Sequence, residues 1–325
     1  VEAIVTERQA NGPYKDIYDL MRRVNLRAAN RKALESLAYA GAFDGFPKSH
    51  RAHYFHSPGE GKPTFLETLV RYGQQSQDGA DSAQVNMFGE LDEAAGIPEP
   101  ALPAIDPWSA LEQLHYEKEV IGFYLSGHPL DDHRLEIKYL CNTTLPELKE
   151  LDKLNGRDLA FAGIVTKAEH RIAKSGKPFG SFSLEDHHGT HEFMLFSEDY
   201  LKFKLYLQTG ALLFVKGRAS ARTWGRDEGQ MEFKISQIDL LSDVREKYFT
   251  KLNLRLEAER INDSLARELG QLLKASPGKC KVTFQIVSPA ENMAFEAASK
   301  GMSVAVSEEL IRSLDALADV SYTLN

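Results

Sequence analysis

The sequence predicts a multidomain α+β protein, and three observations carry this prediction. Apolar residues recur at helical spacing over about the first 45 residues, which predicts a compact group of short helices. Residues 51–107 are rich in Gly, Ser, Gln, Asp and Pro, the composition of a linker. From Arg157 onward the apolar period changes to two, which is typical of strands. A chain of 325 residues is long enough for two or three domains.

The helical part begins with three short helices. The first covers residues 1–8 and ends at Asn11-Gly12-Pro13, and the second runs near residues 16–24. The side chain of Asn30 is predicted to cap the third helix, which Gly41 ends. Tight connections of this kind favour a small helical domain at the start of the chain.

The predicted flexible linker, residues 51–107, contains a possible helix at residues 65–72 and one short apolar island. In this island Gln84 is followed by two variable residues and then by Met87 and Phe88. An amide that forms one directional hydrogen bond, beside two large apolar side chains, suits a peptide that binds an apolar pocket on a partner. The alternative interpretation is a helical turn that packs on an adjacent domain.

A longer amphipathic helix is predicted over residues 108–125, and Gly127-His128-Pro129 ends it. Residues 135–151 form a weaker helical connector. The side chains expected to be buried on the longer helix are Leu111, Leu114, Val120, Ile121 and Tyr124.

Residues 157–242 alternate in a fixed order of elements. Strands are predicted at 159–172, 179–184, 192–196, 212–219 and 231–240, and a helix at 198–207 lies between the third and fourth. This is the order of an oligonucleotide-binding (OB) fold, and we predict a five-stranded OB-fold barrel.

Two loops of this predicted barrel carry the groups that single-stranded nucleic acid requires, cations for phosphates and rings for bases. Lys174 and Lys177 lie in the loop after the first strand, and Arg222, Trp224 and Arg226 lie in the loop after the fourth. Phe179 and Phe182 add rings on the second strand. Residues 157–242 hold twelve Lys and Arg against eleven Asp and Glu, so binding should be weak. The alternative is a structural barrel with ordinary solvated loops.

The last segment predicts a small mixed α/β domain. Strands are expected at 252–256, 281–287, 293–298, 304–306 and 320–324, with helices at 261–275 and from the cap at Ser307 through 317.

Composition and spacing argue against several classes of site. Cys141 and Cys280 are isolated thiols, which favours a cytoplasmic protein without a structural zinc site. No phosphate-binding glycine loop and no pair of catalytic carboxylates is recognisable, so we predict no catalytic residue, no metal and no cofactor in this chain. Neither a signal peptide nor a membrane-spanning run is evident, so no membrane partner is expected. Because the first residue is Val1 and not Met, a fragment is expected.

Two segments resemble signatures of the bacterial DNA polymerase III alpha family. They are NRKALESLAYAGAFD at 30–44 and EKEVIGFYLSGHPLD at 117–131. The predicted OB stretch fits the same family through AGIVT at 162–166, LED at 184–186 and MLF at 194–196. The resemblance spans nearly the whole chain and favours the replicative branch. It implies a helix-hairpin-helix region over 1–50 that is truncated at its start, a linker with a clamp-binding peptide over 51–107, and a helical connector over 108–156. It further implies an OB domain over 157–242 and a domain over 243–325 that would bind the clamp-loader tau subunit.

The resemblance also implies a function. The chain would be the non-catalytic C-terminal part of a replicative polymerase, a DNA-directed DNA polymerase (nucleotidyltransferase) whose catalytic aspartates lie upstream. It would bind the sliding clamp (beta) through Gln84, Met87 and Phe88, the clamp-loader tau subunit through its tail, and single-stranded DNA weakly. The Gly-x-Gly of the family's first hairpin is missing, which weakens the expectation of duplex binding there. The alternative function is a free-standing OB-fold protein that binds single strands or assists repair.

Overall fold

The computed structural model describes residues 1–83, 97–222 and 229–325, without the side chains of residues 79–83. The chain forms two compact units, Val1–His128 and Pro129–Asn325. The predicted boundaries at residues 50, 107, 156 and 242 are finer than this division and stay predictions. Within the described ranges, none of the helices combines the length and apolar character needed to cross a membrane.

The first unit is helical, as predicted. Its helices are α1 (Glu2–Asn11), α2 (Ile17–Arg23), α3 (Arg31–Tyr39), α4 (Arg51–Phe55), α5 (Phe65–Ala83) and α6 (Ala110–Ile121). The predicted cap of α3 is confirmed, because the side chain of Asn30 accepts a hydrogen bond from the backbone N–H of Ala33.

Residues 51–83, which composition predicts as part of a linker, contain α4 and α5, and α5 runs well past the predicted 65–72. Leu66 and Leu69 of α5 are fully buried against Leu20 and Met21 of α2. An apolar stripe that packs on a neighbouring helix outweighs the weak helix propensity of Gly, Ser and Asp in the second half of α5.

The end of the predicted linker also lies on this unit in an extended conformation. The Tyr18 hydroxyl donates to the carbonyl oxygen of Pro100 at 2.7 Å, and Arg22 Nη1 lies 2.7 Å from Glu99 Oε1. Leu102 packs against the core of the unit. Residues 99–102 are therefore docked along α2.

Helix α6 buries fewer apolar side chains than predicted. Of the candidates only Leu114 is buried, while Leu111 and Val120 are exposed and Ile121 and Tyr124 are partly exposed. The spacing of apolar residues in the sequence predicts which side of a helix is buried, but it does not predict how much of that side the neighbouring helices cover.

The most deeply buried residue of α6 is a carboxylate, Glu117. Arg51 Nη1 lies 2.9 Å from Glu117 Oε1, and the backbone N–H and hydroxyl of Ser126 both donate to the same carboxylate. Burial alone would raise the pKa of Glu117, but these hydrogen bonds lower it. The buried charge is thus paired, and it joins α4 to the segment that follows α6.

The second unit contains the predicted OB fold. Its strands are β1 (Asp158–Ile172), β2 (Pro178–Glu185), β3 (Thr190–Phe196), β4 (Leu212–Ala221) and β5 (Met231–Leu240). They form one antiparallel sheet in the order β3-β2-β1-β4-β5. Helix α8 (Ser197–Phe203) follows β3, as predicted.

The five strands of the predicted OB-fold barrel form an open sheet. Among the described residues the two edge strands, β3 and β5, form no ladder with each other. Their inner faces nevertheless meet through side chains. The ring of Phe193 on β3 lies 5.7 Å from Phe161 on β1 and 6.3 Å from Phe233 on β5, measured between centroids. Aromatic packing thus closes the interior where backbone pairing does not.

The chain ends in the predicted small mixed domain. Strands β6 (Lys251–Glu257), β7 (Pro277–Ser288), β8 (Met293–Val304) and β9 (Val320–Leu324) form a sheet in the order β8-β7-β6-β9, with α10 (Asp263–Ala275) and α11 (Glu308–Ala316). The predicted cap at Ser307 is confirmed by its hydrogen bond from the N–H of Leu310. The predicted strands at 293–298 and 304–306 are one irregular strand.

Two further helices, α7 (Arg134–Leu140) and α9 (Leu241–Tyr248), pack between these sheets, and α9 was not predicted. Leu135 of α7 belongs to the core of the terminal domain. Ile137 of the same helix packs on a second apolar cluster, which contains Phe214 of β4 and both Leu241 and Val244 of α9. Helix α7 is thus shared by two cores. Short 3-10 helices occur at Asp131–His133, Pro146–Leu154, Lys204–Tyr206 and Ala258–Arg260.

Candidate nucleic-acid interface

The outer face of β2 and β3 carries three apolar side chains that are exposed or half-buried. Phe179 of β2 lies directly opposite Phe196 of β3 in the ladder, and Met194 is opposite Ser181. The two rings stack, with centroids 5.9 Å apart and planes at 18°. Phe196 is 55% exposed and Met194 53%. We call Phe179, Met194 and Phe196 the stacking platform, because flat exposed rings of this kind offer π faces to bases.

Cations from β1 border the stacking platform. Arg171 lies opposite Phe179, and Lys167 lies opposite Ser183, so both side chains lie on the platform's side of the sheet. The carboxylate of Glu169 between them pairs with both cations. Hydrogen bonding by Lys167, aided by the charge of Arg171, lowers the pKa of Glu169, which stays ionised. Glu192 of β3 lies opposite Ser183 and so adds a second carboxylate to this face. The charges of Lys167 and Arg171 are therefore balanced by those of Glu169 and Glu192.

The predicted loop between β1 and β2 is a tight turn at the end of the hairpin. Lys174 and Lys177 are exposed there, and within the described ranges neither forms an ion pair. Both side chains are thus accessible, and their contact with phosphates stays a prediction.

The predicted loop between β4 and β5 is only partly described. Trp224 and Arg226 lie outside the described residues. Arg222 is described, and its Nε lies 2.6 Å from Glu232 Oε2 on the neighbouring strand. The carboxylate of Glu232 thus offsets much of the guanidinium charge that was predicted to contact phosphate.

Phe182 was predicted to offer a ring to bases, and this prediction is wrong because the side chain is buried. Its ring is buried in the core and stacks on Phe193 with centroids 5.1 Å apart. Phe179 and Phe182 are three residues apart on one strand, so they must point to opposite faces. The same alternation would have identified Met194 and Phe196, which were overlooked.

The predicted clamp-binding residues Gln84, Met87 and Phe88 lie outside the described residues. Elsewhere in the chain, within 1–83, 97–222 and 229–325, no group of three or more His, Cys, Asp or Glu side chains lies close enough together to hold a metal ion.

Family models match three parts of the chain in succession. A helix-hairpin-helix motif matches residues 1–54, an OB-fold nucleic acid binding domain matches residues 160–241, and the C-terminal domain of the DNA polymerase III alpha subunit matches residues 252–325.

Curated relatives cover most of the chain. The DNA polymerase III subunit alpha of Pasteurella multocida is 27% identical over 317 residues, which are 92% of this chain and 26% of the relative. The same protein of Escherichia coli strain K12 is 29% identical over 275 residues, which are 84% of this chain and 22% of the relative. The chain thus spans 26% and 22% of the lengths of these two relatives.

Similarity to solved structures is more restricted. Asparaginyl-tRNA synthetase from Pyrococcus horikoshii is 20% identical over 31% of this chain and 22% of that chain, with a TM-score of 0.23. A score this low carries no structural argument.

Proposed function

We propose that this chain, which is homologous to the C-terminal part of DNA polymerase III alpha, tethers a replicative polymerase during chromosome replication. It would bind the sliding clamp, single-stranded template DNA and the clamp-loader tau subunit. The observation that carries this proposal is the succession of the three family matches, of which the last is the C-terminal domain of DNA polymerase III alpha. DNA synthesis itself would belong to another part of the parent polymerase, and the site of action would be the cytoplasm.

The stacking platform supports the proposal of single-strand binding. One or two bases would stack on Phe179 and Phe196, and phosphates would contact Arg171, Lys174 and Lys177. Stacking contributes about 1–3 kcal/mol per base and tolerates any sequence. Of these three cations Arg171 already pairs with Glu169, so affinity would be weak and would fall steeply with salt.

The proposal of clamp binding rests on the sequence pattern of Gln84, Met87 and Phe88. The Met-Phe pair would fill an apolar pocket of the clamp, and the glutamine amide would form a hydrogen bond at its rim. Two large apolar side chains at the centre of a small interface are typical energetic hot spots.

The proposal of clamp-loader binding concerns the terminal domain. Residues 252–325, which match the C-terminal domain of DNA polymerase III alpha, form a compact sheet with α10 and α11. Tau would bind here independently of DNA and of the clamp.

A capture experiment tests all three contacts in one preparation. The immobilised chain should retain purified clamp, purified tau and a fluorescent single-stranded oligonucleotide. The variant Phe88→Ala should lose only the clamp, and Phe196→Ala should lose only the oligonucleotide. A chain that retained the oligonucleotide but neither protein would contradict the tethering function and favour a free-standing OB-fold accessory protein.

A further inference from the structure

Beyond an irregularity between Val165 and Lys167, the ladder of β1 and β2 continues without a break to the tip of the hairpin. The last pair of the ladder joins Ile172 and Pro178. The turn beyond it is closed by two backbone hydrogen bonds of 2.9 Å, from Ala173 N–H to Lys177 O and from Gly176 N–H to Ala173 O. Gly176 supplies the left-handed conformation that the turn requires, with φ of 77°. The tip is therefore a defined structure that can hold side chains in place.

The two faces of this tip differ in chemistry. Consecutive residues of a strand point to opposite faces, so Arg171 and Phe179 share one face while Ile172 and Pro178 share the other. The first face continues the stacking platform. The second is aliphatic, and Ile172 is 76% exposed, the highest value among the large exposed hydrophobic side chains of the described ranges.

Two cations lie next to this aliphatic face. Lys174 and Lys177 occupy the turn that follows Ile172, and both are exposed. A single exposed isoleucine is ordinary by itself. An exposed aliphatic side chain on a fixed hairpin, with two cations in the adjoining turn, has the composition of the apolar wedges that proteins insert between base steps.

We propose that the β1–β2 hairpin is a wedge for the junction between single-stranded and double-stranded nucleic acid. The unpaired strand would lie on the stacking platform, and Ile172 with Pro178 would pack against the first base pair of the duplex. Lys174 and Lys177 would contact the phosphates at the branch. The ligand class is thus a primed template or a fork, and the proposal rests on the single-strand binding proposed above.

The test compares three fluorescent ligands by anisotropy at low salt: a duplex with a single-stranded overhang, the overhang alone and the blunt duplex. The chain should bind the junction about tenfold more tightly than the overhang alone, as expected for partial burial of one aliphatic side chain. The variant Ile172→Ala should lose this preference and keep its affinity for the overhang. A 2-aminopurine in the first base pair should brighten on binding of the unaltered chain, and less with Ile172→Ala.

Leu205→Ala is the matched control, because Leu205 is 75% exposed and belongs to another element, the 3-10 helix Lys204–Tyr206. It should retain the preference for the junction, and all three proteins should melt at the same temperature. Equal affinity for junction and overhang, or an unchanged preference in Ile172→Ala, would overturn the wedge while leaving single-strand binding intact. Failure to bind the overhang would overturn both proposals.

Discussion

Replacing Glu136 by Gln removes one buried negative charge at the junction of α7 and α9. Arg245 of α9 donates to both carboxylate oxygens, from Nε at 2.8 Å and from Nη2 at 3.1 Å. His133 Nδ1 lies 3.6 Å from the same carboxylate. Burial by itself would raise the pKa of Glu136, but His133 and Arg245 together lower it from 4.5 to about 2.

The lowered pKa of Glu136 determines both how much Glu136→Gln should destabilise the chain and how this destabilisation depends on pH. A carboxyl whose pKa falls from 4.5 to about 2 on folding contributes about 3 kcal/mol to stability. Because the folded pKa is the lower one, this contribution is complete above pH 4.5 and is lost as the pH falls towards about 2. For a unit of this size, Glu136→Gln should lower the melting temperature by about 6–12 °C at pH 7.

Thermal melting of the whole chain, followed by circular dichroism from pH 7 to pH 3, measures this effect. The difference between the unaltered chain and Glu136→Gln should narrow as the pH falls. Glu150→Gln is the matched control, since Glu150 forms an exposed pair with Lys153 at 2.5 Å and should change stability by less than about 0.5 kcal/mol. Equal melting of Glu136→Gln and the unaltered chain at pH 7, or a difference that stayed constant with pH, would refute the reasoning.

Three further predictions concern binding. Phe196→Ala should weaken single-strand binding, measured by anisotropy, by about 1–3 kcal/mol without changing the melting temperature. Phe182→Ala should instead lower the free energy of unfolding by about 3–5 kcal/mol. If Phe196→Ala lowered the melting temperature and Phe182→Ala weakened only binding, the two faces of β2 would be assigned the wrong way round. Replacing both Lys174 and Lys177 by Ala should reduce the slope of log affinity against log salt by about 1.4. An unchanged slope would mean that phosphates bind elsewhere. Phe88→Ala should weaken clamp binding at least about thirtyfold, or ~2 kcal/mol, in a titration. A large drop in melting temperature with intact clamp affinity would instead identify Phe88 as a core residue.

Local patterns predicted the elements whose causes are local. The five OB strands and the helix between the third and fourth follow from alternation and from short connections, and they occur near the predicted positions. The caps at Asn30 and Ser307 depend on hydrogen bonds to residues three positions away. The alternation of side chains along β2 also predicts that Phe182 faces inward if Phe179 faces outward.

Features that depend on distant partners were not predictable from one sequence. Glu117 is buried because Arg51, far away in the chain, supplies the opposite charge. Helix α5 extends through a polar segment because α2 lies beside it. The contact between the rings of Phe193 on β3 and Phe233 on β5 joins strands far apart in the sequence, and the order of strands does not predict it. The predicted clamp and clamp-loader contacts stay predictions.

Helix α9 has a consequence for how this part of the chain can be divided. It occupies Leu241–Tyr248, between the OB-fold match that ends at residue 241 and the DNA polymerase III alpha match that begins at residue 252. Its Leu241 and Val244 cover the outer face of β4, and its Arg245 holds α7. A truncation at either boundary of the matched regions would remove α9 from one of the two pieces and expose the apolar surface that the helix covers there. Chimaeras made with relatives should therefore exchange residues 129–325 as one piece, since the regions defined by sequence similarity are smaller than this compact unit.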